Sequence, residues 1–217
     1  MEKTPEGESP APRARILRRL IDAAEILGVT VAVAIAVKTF VVDAVHVPSA
    51  SMENTLLAGD FLVVNKFIYG PCTPRYVPFG GGPLPVLHLP GPRDPRRGDV
   101  VVFYAPEEEP PRLYVKRLAG QPGDTVMLRG GVLIINGNAG AFPATAKPAW
   151  RPAADFGPVI VPGNCYFVLG DNLDDSLDSR AWGFVSRDRI VGRAVMIYWS
   201  VDDRSGIRWG RLLTVVR

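Results

Sequence analysis

Ser51 lies in the stretch Pro48-Ser49-Ala50-Ser51-Met52, a few residues beyond an apolar run that ends at Val42. A serine hydroxyl in that place could attack a carbonyl carried by something that is itself held in a membrane. The chemistry needs more than the hydroxyl: a base to take its proton, a group to orient the base, and donors for the oxyanion that forms. Most serines are solvated loop or cap residues, so the partners decide whether this one counts.

Two histidines, His46 and His88, are the obvious bases, and neither has an acidic neighbour placed to orient it. A lysine is the alternative. Burial disfavours its charged form and can bring its pKa from about 10.4 toward the roughly 7–8 that suits a general base. Such a lysine belongs on a strand with apolar neighbours. Lys116 fits, with Tyr114, Val115 and Leu118 around it. Taken alone, it fits an exposed lysine on an edge strand better still.

Placing these side chains requires an anchor and a scaffold. Residues 11–20, APRARILRRL, hold four arginines and no acid, and an apolar stretch from Ile26 to Val37 follows. From Leu20 to Val42 the segment reaches the roughly 20 residues that a spanning helix needs. Asp22, Glu25 and Lys38 sit near its ends, where long side chains can snorkel. A cleavable signal peptide has the same outline, but its Ala34-Ile35-Ala36 site would fall inside the apolar core. The arginines predict a cytoplasmic N-terminal side. The expected organisation is a disordered basic cytoplasmic tail over residues 1–19, a transmembrane anchor over 20–42, and an extracytoplasmic β-rich domain over 43–217.

After the anchor the periodicity becomes strand-like. Residues 61–67, 99–103, 113–117, 125–128, 132–135, 165–169 and 190–199 read as strands, and Arg129-Gly130-Gly131 joins two of them as a hairpin. With no helix-period segment beyond the anchor, and with 22 Gly and 21 Pro, the domain reads as mainly β and antiparallel. Residues 71–95 and 138–162 read as excursions from that core. A net charge of only +3 and the lack of a basic stripe argue against nucleic acid. Two cysteines, Cys72 and Cys165, suit one bridge or two buried thiols. With so few thiols and imidazoles the chain offers little for a metal.

Read together, three blocks resemble bacterial type I signal peptidase, a Ser/Lys protease family. They are Pro48-Ser49-Ala50-Ser51-Met52 with Thr55-Leu56 and Gly59-Asp60; Tyr114-Val115-Lys116-Arg117 running to Gly120-Gln121-Pro122-Gly123-Asp124; and Gly170-Asp171-Asn172 through Ser176-Leu177-Asp178-Ser179-Arg180 to Trp182-Gly183-Phe184-Val185. They stand in the family's order behind a membrane segment. The resemblance implies an antiparallel β-sheet catalytic domain of that family's type behind one transmembrane helix. It makes Ser51 the nucleophile, Lys116 the general base, Ser49 an oxyanion donor and Ser176 the residue orienting the lysine. It makes Asp178 and Arg180 a supporting ion pair, and Val47, Leu56, Tyr114 and Leu177 lining for the substrate. Core packing is an equal reading of Leu56, and turn chemistry is the reading of Asp171 and Asn172. Two positions depart from the pattern: Asn54 stands where the family usually has Pro, and Leu173 where it usually has Arg.

The implied partners are signal peptides of exported preproteins and the phospholipid bilayer, with no nucleic acid, no metal and no cofactor. Tyr198, Trp199 and Trp209 are expected in the lipid interface, and so are the apolar residues of the 71–95 excursion. Other readings are a specialised Ser/Lys maturation peptidase of the same fold and a non-catalytic, membrane-tethered β-module that binds peptides.

Overall fold

The computed structural model describes residues 12–70, 89–106, 112–140, 154–202, 204 and 206–217. The chain divides into two units, Met1–Lys38 and Thr39–Arg217. Helix α1 begins at Pro12 in the first unit and continues to Phe40, the second residue of the other. Residues 12–19 are therefore helical, where a disordered tail was expected. Proline at a first helical position gives up only an N–H that has no intrahelical partner, and Ala, Leu and Arg are strong helix formers. The segment Arg18–Phe40 is long and apolar enough to cross a bilayer. Ile26, Leu27 and Ile35 are each more than half exposed, a load of apolar surface that water penalises and lipid does not. Lys38 in the last turn complements the helix dipole. The helix stops short of Val42, which opens a strand instead, as a β-branched residue favours.

The second unit is built on strands β1 (Val42–His46), β2 (Asp60–Asn65), β3 (Val100–Tyr104), β4 (Leu113–Gly120), β5 (Thr125–Arg129), β6 (Val132–Ile135), β7 (Asn138–Gly140), β8 (Phe156–Ile160), β9 (Cys165–Leu169), β10 (Val185–Ser186), β11 (Ile190–Asp202), β12 (Gly206–Ile207) and β13 (Thr214–Val215). Among the described residues they form a nine-stranded antiparallel sheet, ordered β1-β2-β11-β3-β4-β9-β10, with β12 and β13 also paired to β11. A second, four-stranded sheet has the order β7-β6-β5-β8. The predicted hairpin is the β5–β6 pair, in register from Val126↔Ile135 to Arg129↔Val132. The expected excursion at 138–162 contributes β7 and β8 to this small sheet, and its residues 141–153 lie outside the described residues.

Period-two alternation sets the core. Along β3, Val100 and Val102 enter one buried cluster with Val64, Met52 and Leu56, while Val101 and Phe103 enter another with Tyr69, Leu118 and Val168. A strand buried on both faces reads as an unbroken apolar run, as Val100-Val101-Val102-Phe103 does. The third cluster, around Leu128, Leu133 and Phe167, underlies the small sheet. One short helix, α2 (Ser179–Trp182), interrupts the strands where none was expected. Four residues are too few to leave a helical period, and its start is set locally by the side chain of Asp178, which accepts from the Arg180 N–H.

Candidate active site

β4 carries Lys116 opposite Val101 on β3. The side chain is nearly enclosed, at 3% exposure. Its ammonium donates to Ser51 Oγ at 2.6 Å and to Ser176 Oγ at 3.1 Å. Burial pushes the Lys116 pKa down to about 8; the charge of Asp178 opposes this and that of Arg180 adds to it.

Ser51 sits in a single 3-10 turn, Ala50–Met52, anchored in the core by Met52 at 1% exposure. Ser49 precedes that turn in extended conformation, exposed, with its Oγ 3.4 Å from Ser51 Oγ. The residues after Ser51 close on themselves, since the N–H groups of Thr55 and Leu56 both donate to Met52 O. Asn54 adopts a φ of 92° here. Asparagine tolerates that region better than most residues and proline cannot enter it. Its amide donates to Asp171 O at 3.3 Å. The departure from the family's pattern therefore tethers this turn to the 170–180 segment.

The segment 170–180 supplies the rest. Gly170 is required by close approach: a Cβ there would stand 2.2 Å from Ser176 Oγ and 2.4 Å from Ser51 O. The Asn172 N–H donates to Ser51 O at 3.1 Å and its side-chain amide to Ala50 O at 3.3 Å. Asp178, fully buried, accepts from Gly170 N and forms a two-pronged pair with Arg180 through Nε and Nη2, each at 2.8 Å. Arg180 also donates to the carbonyls of Leu173 and Ser176, which gathers the loop that presents Ser176. The Leu173 side chain packs on the third core cluster.

Two expectations need correcting. Asp171 does more than shape a turn. Its carboxylate is buried and accepts from Arg117 Nε at 2.8 Å, Arg117 Nη2 at 2.6 Å and Thr55 Oγ1 at 2.5 Å. Nor do all four expected lining residues present a surface. Val47 is 3% exposed and Leu56 0%; both lie in the first core cluster, so neither offers a peptide a wall. Tyr114 is half-buried and stacks on Trp182 with ring centroids 5.4 Å apart, while Leu177 is largely exposed.

Sequence reasoning missed Arg117, Thr55 and Arg211, which hold the turn after Ser51. Arg117 and Thr55 stood inside the quoted blocks, but the signal of their role is a contact across 62 residues. His46 rests on the Phe61 ring at 4.7 Å. His88 and Cys72 lie outside the described residues, as do Phe79, Leu84 and Leu87 of the first excursion. Cys165 is half-buried against the third cluster. Tyr198 and Trp199 are just over one-third exposed and Trp209 is 70% exposed.

Comparison with known proteins bears on most of the chain. A family model described as "Signal peptidase, peptidase S26" matches residues 20–199. Signal peptidase I of Leptolyngbya laminosa is 34% identical over 206 residues, covering 92% of this chain and 90% of that protein. A probable signal peptidase I-2 of Synechocystis is 37% identical over 175 residues, covering 79% of this chain and 69% of that protein. Signal peptidase I T of Bacillus subtilis is 34% identical over 183 residues, covering 81% and 83%. With a family model and relatives at 34–37% identity each spanning most of its length, the chain belongs to the signal peptidase family, peptidase S26.

Proposed function

We infer that this protein is a membrane-anchored serine endopeptidase that removes signal peptides from exported preproteins, with Ser51 as nucleophile and Lys116 as general base. One observation carries the assignment: a lysine at 3% exposure with its Nζ 2.6 Å from a serine hydroxyl. In its neutral form Lys116 reverses that hydrogen bond and accepts the Ser51 proton as Oγ attacks the scissile carbonyl. The carbonyl oxygen gains the negative charge, which the Ser51 N–H and the Ser49 hydroxyl stabilise. Collapse breaks the C–N bond, and Lys116 returns the proton to the departing amine. The same lysine then deprotonates a water that hydrolyses the acyl-enzyme and regenerates Ser51. Ser176 fixes the rotamer of Lys116 throughout.

The substrate lies extended along β4. On one side Leu113–Arg117 pair with β3, and on the other β9 pairs only from Arg117 onward. Among the described strands this leaves, beside Lys116, the register that a peptide would take by β-augmentation. Tyr114 and Leu177 border it. Helix α1 holds the domain at the membrane, with the arginines of its first turns on the cytoplasmic side and residues 43–217 on the far side of the cytoplasmic membrane.

The test is cleavage of a preprotein in detergent by wild type, Ser51→Ala, Lys116→Ala and Lys116→Arg. All three variants are expected to be inactive, the last because guanidinium stays protonated. Wild-type turnover by any of them would overturn the pairing.

A further inference from the structure

The residues that follow β11 return to the turn that carries Ser51. Arg208 donates to Ala58 O at 2.8 Å and to Asp202 at 2.6 Å. Arg211 holds Asp60 with both prongs, Nε to Oδ1 at 3.0 Å and Nη2 to Oδ2 at 2.5 Å, and Asp60 is fully buried. The same Nη2 also donates to Thr55 O at 3.0 Å. β13 then pairs with Met196 and Ile197, and Val216 enters the cluster that holds Met52 and Leu56. Finally Arg217 O accepts from Arg117 Nη2 at 3.0 Å.

Two of these contacts, those of Arg211 and Arg217, lead to one residue. Thr55 is held at its carbonyl by Arg211 and at its hydroxyl by Arg117, while its own hydroxyl proton goes to Asp171. Through Met52 O, Thr55 closes the turn that follows Ser51. Arg117, the second grip, is the residue next to Lys116 on β4 and is itself held by Arg217 O. The segment thus touches the supports of both the nucleophile and the base, without touching either.

We propose that residues 208–217 form a strap that sets the attacking geometry of Ser51 relative to Lys116, with Arg211 as its positioning residue. The proposal rests on the assignment of Ser51 and Lys116 given above. A guanidinium is suited to the task because its planar fork reaches both Asp60 oxygens and the Thr55 carbonyl at once. A lysine keeps the charge over Asp60 and cannot span all three. Misplacement of a nucleophile by a fraction of an ångström lowers turnover while leaving distant binding contacts intact.

The strap is tested in the full chain in detergent with a fluorogenic peptide carrying small residues at the first and third positions before the cut. kcat and KM are measured for wild type, Arg211→Lys, Arg211→Gln and Ser51→Ala, each normalised to folded protein from its thermal melt. Arg211→Gln is expected to lower kcat about tenfold or more with KM within about twofold. Arg211→Lys, which keeps the ion pair and the fold, is expected to lie between it and wild type. Wild-type kcat in a folded Arg211→Lys or Arg211→Gln, or a loss confined to KM, would overturn the strap. An active Ser51→Ala would instead overturn the underlying assignment.

Discussion

Lys116 pays for its position in charge and is rewarded in reactivity. With a pKa of about 8, roughly one lysine in ten is neutral at pH 7. The acid limb of kcat/KM is therefore expected to rise about tenfold per pH unit up to about 8 and then level, measured in buffers of constant ionic strength. Linkage has the opposite face. The folded pKa lies below the unfolded value of 10.5, so between about 8 and 10.5 the unfolded chain binds more protons and stability rises with pH across that window. Below about 8 the penalty is fully present, on the order of 3 kcal/mol. Lys116→Met is thus expected to be inactive and to unfold at higher denaturant concentration than wild type at pH 7. Equal or lower resistance would show that the hydrogen bonds to Ser51 and Ser176 outweigh the desolvation.

Among the elements, the turn at 170–172 and the turn at 50–55 behave as one piece, joined through Asp171, Asn172, Asn54 and Thr55. Removing Asp171 would leave the Arg117 guanidinium, 5% exposed, without its carboxylate. Asp171→Ala is expected to destabilise the domain by about 3–5 kcal/mol, read by chemical denaturation. A loss below about 1 kcal/mol would mean that the carbonyls of Gly98 and Arg217 suffice for Arg117. Much of this architecture was legible beforehand. Apolar alternation marked β2 to β6, β9 and β11, and the three blocks marked Ser51, Lys116 and Ser176 in the right order. What was not legible depends on distance along the chain. β1 begins at the last residue of the apolar helix pattern, and β8 lies in a Pro-rich stretch that pairs with β5. The burial of Val47 and Leu56 and the grip of Arg211 arise from contacts that no local period encodes. The β2–β11 ladder, for instance, joins residues more than a hundred positions apart.

For the whole molecule, the division at Lys38 separates a lipid-seeking helix from a domain with its own buried clusters. In sealed inverted membrane vesicles, an added protease is expected to clip the segment before Pro12 and to leave residues 43–217 intact. Digestion of the domain in unbroken vesicles would reverse the orientation. The order of the chain adds a constraint in time. Ser51, Lys116 and Ser176 are all made before residues 208–217, and Thr55 and Arg117 receive their last ligands from the strap. A growing chain therefore carries its reactive groups before it has the residues proposed to align them. A strap of this kind would leave the nucleophile and its base unaligned until residues 208–217 had been added and had closed beneath Thr55.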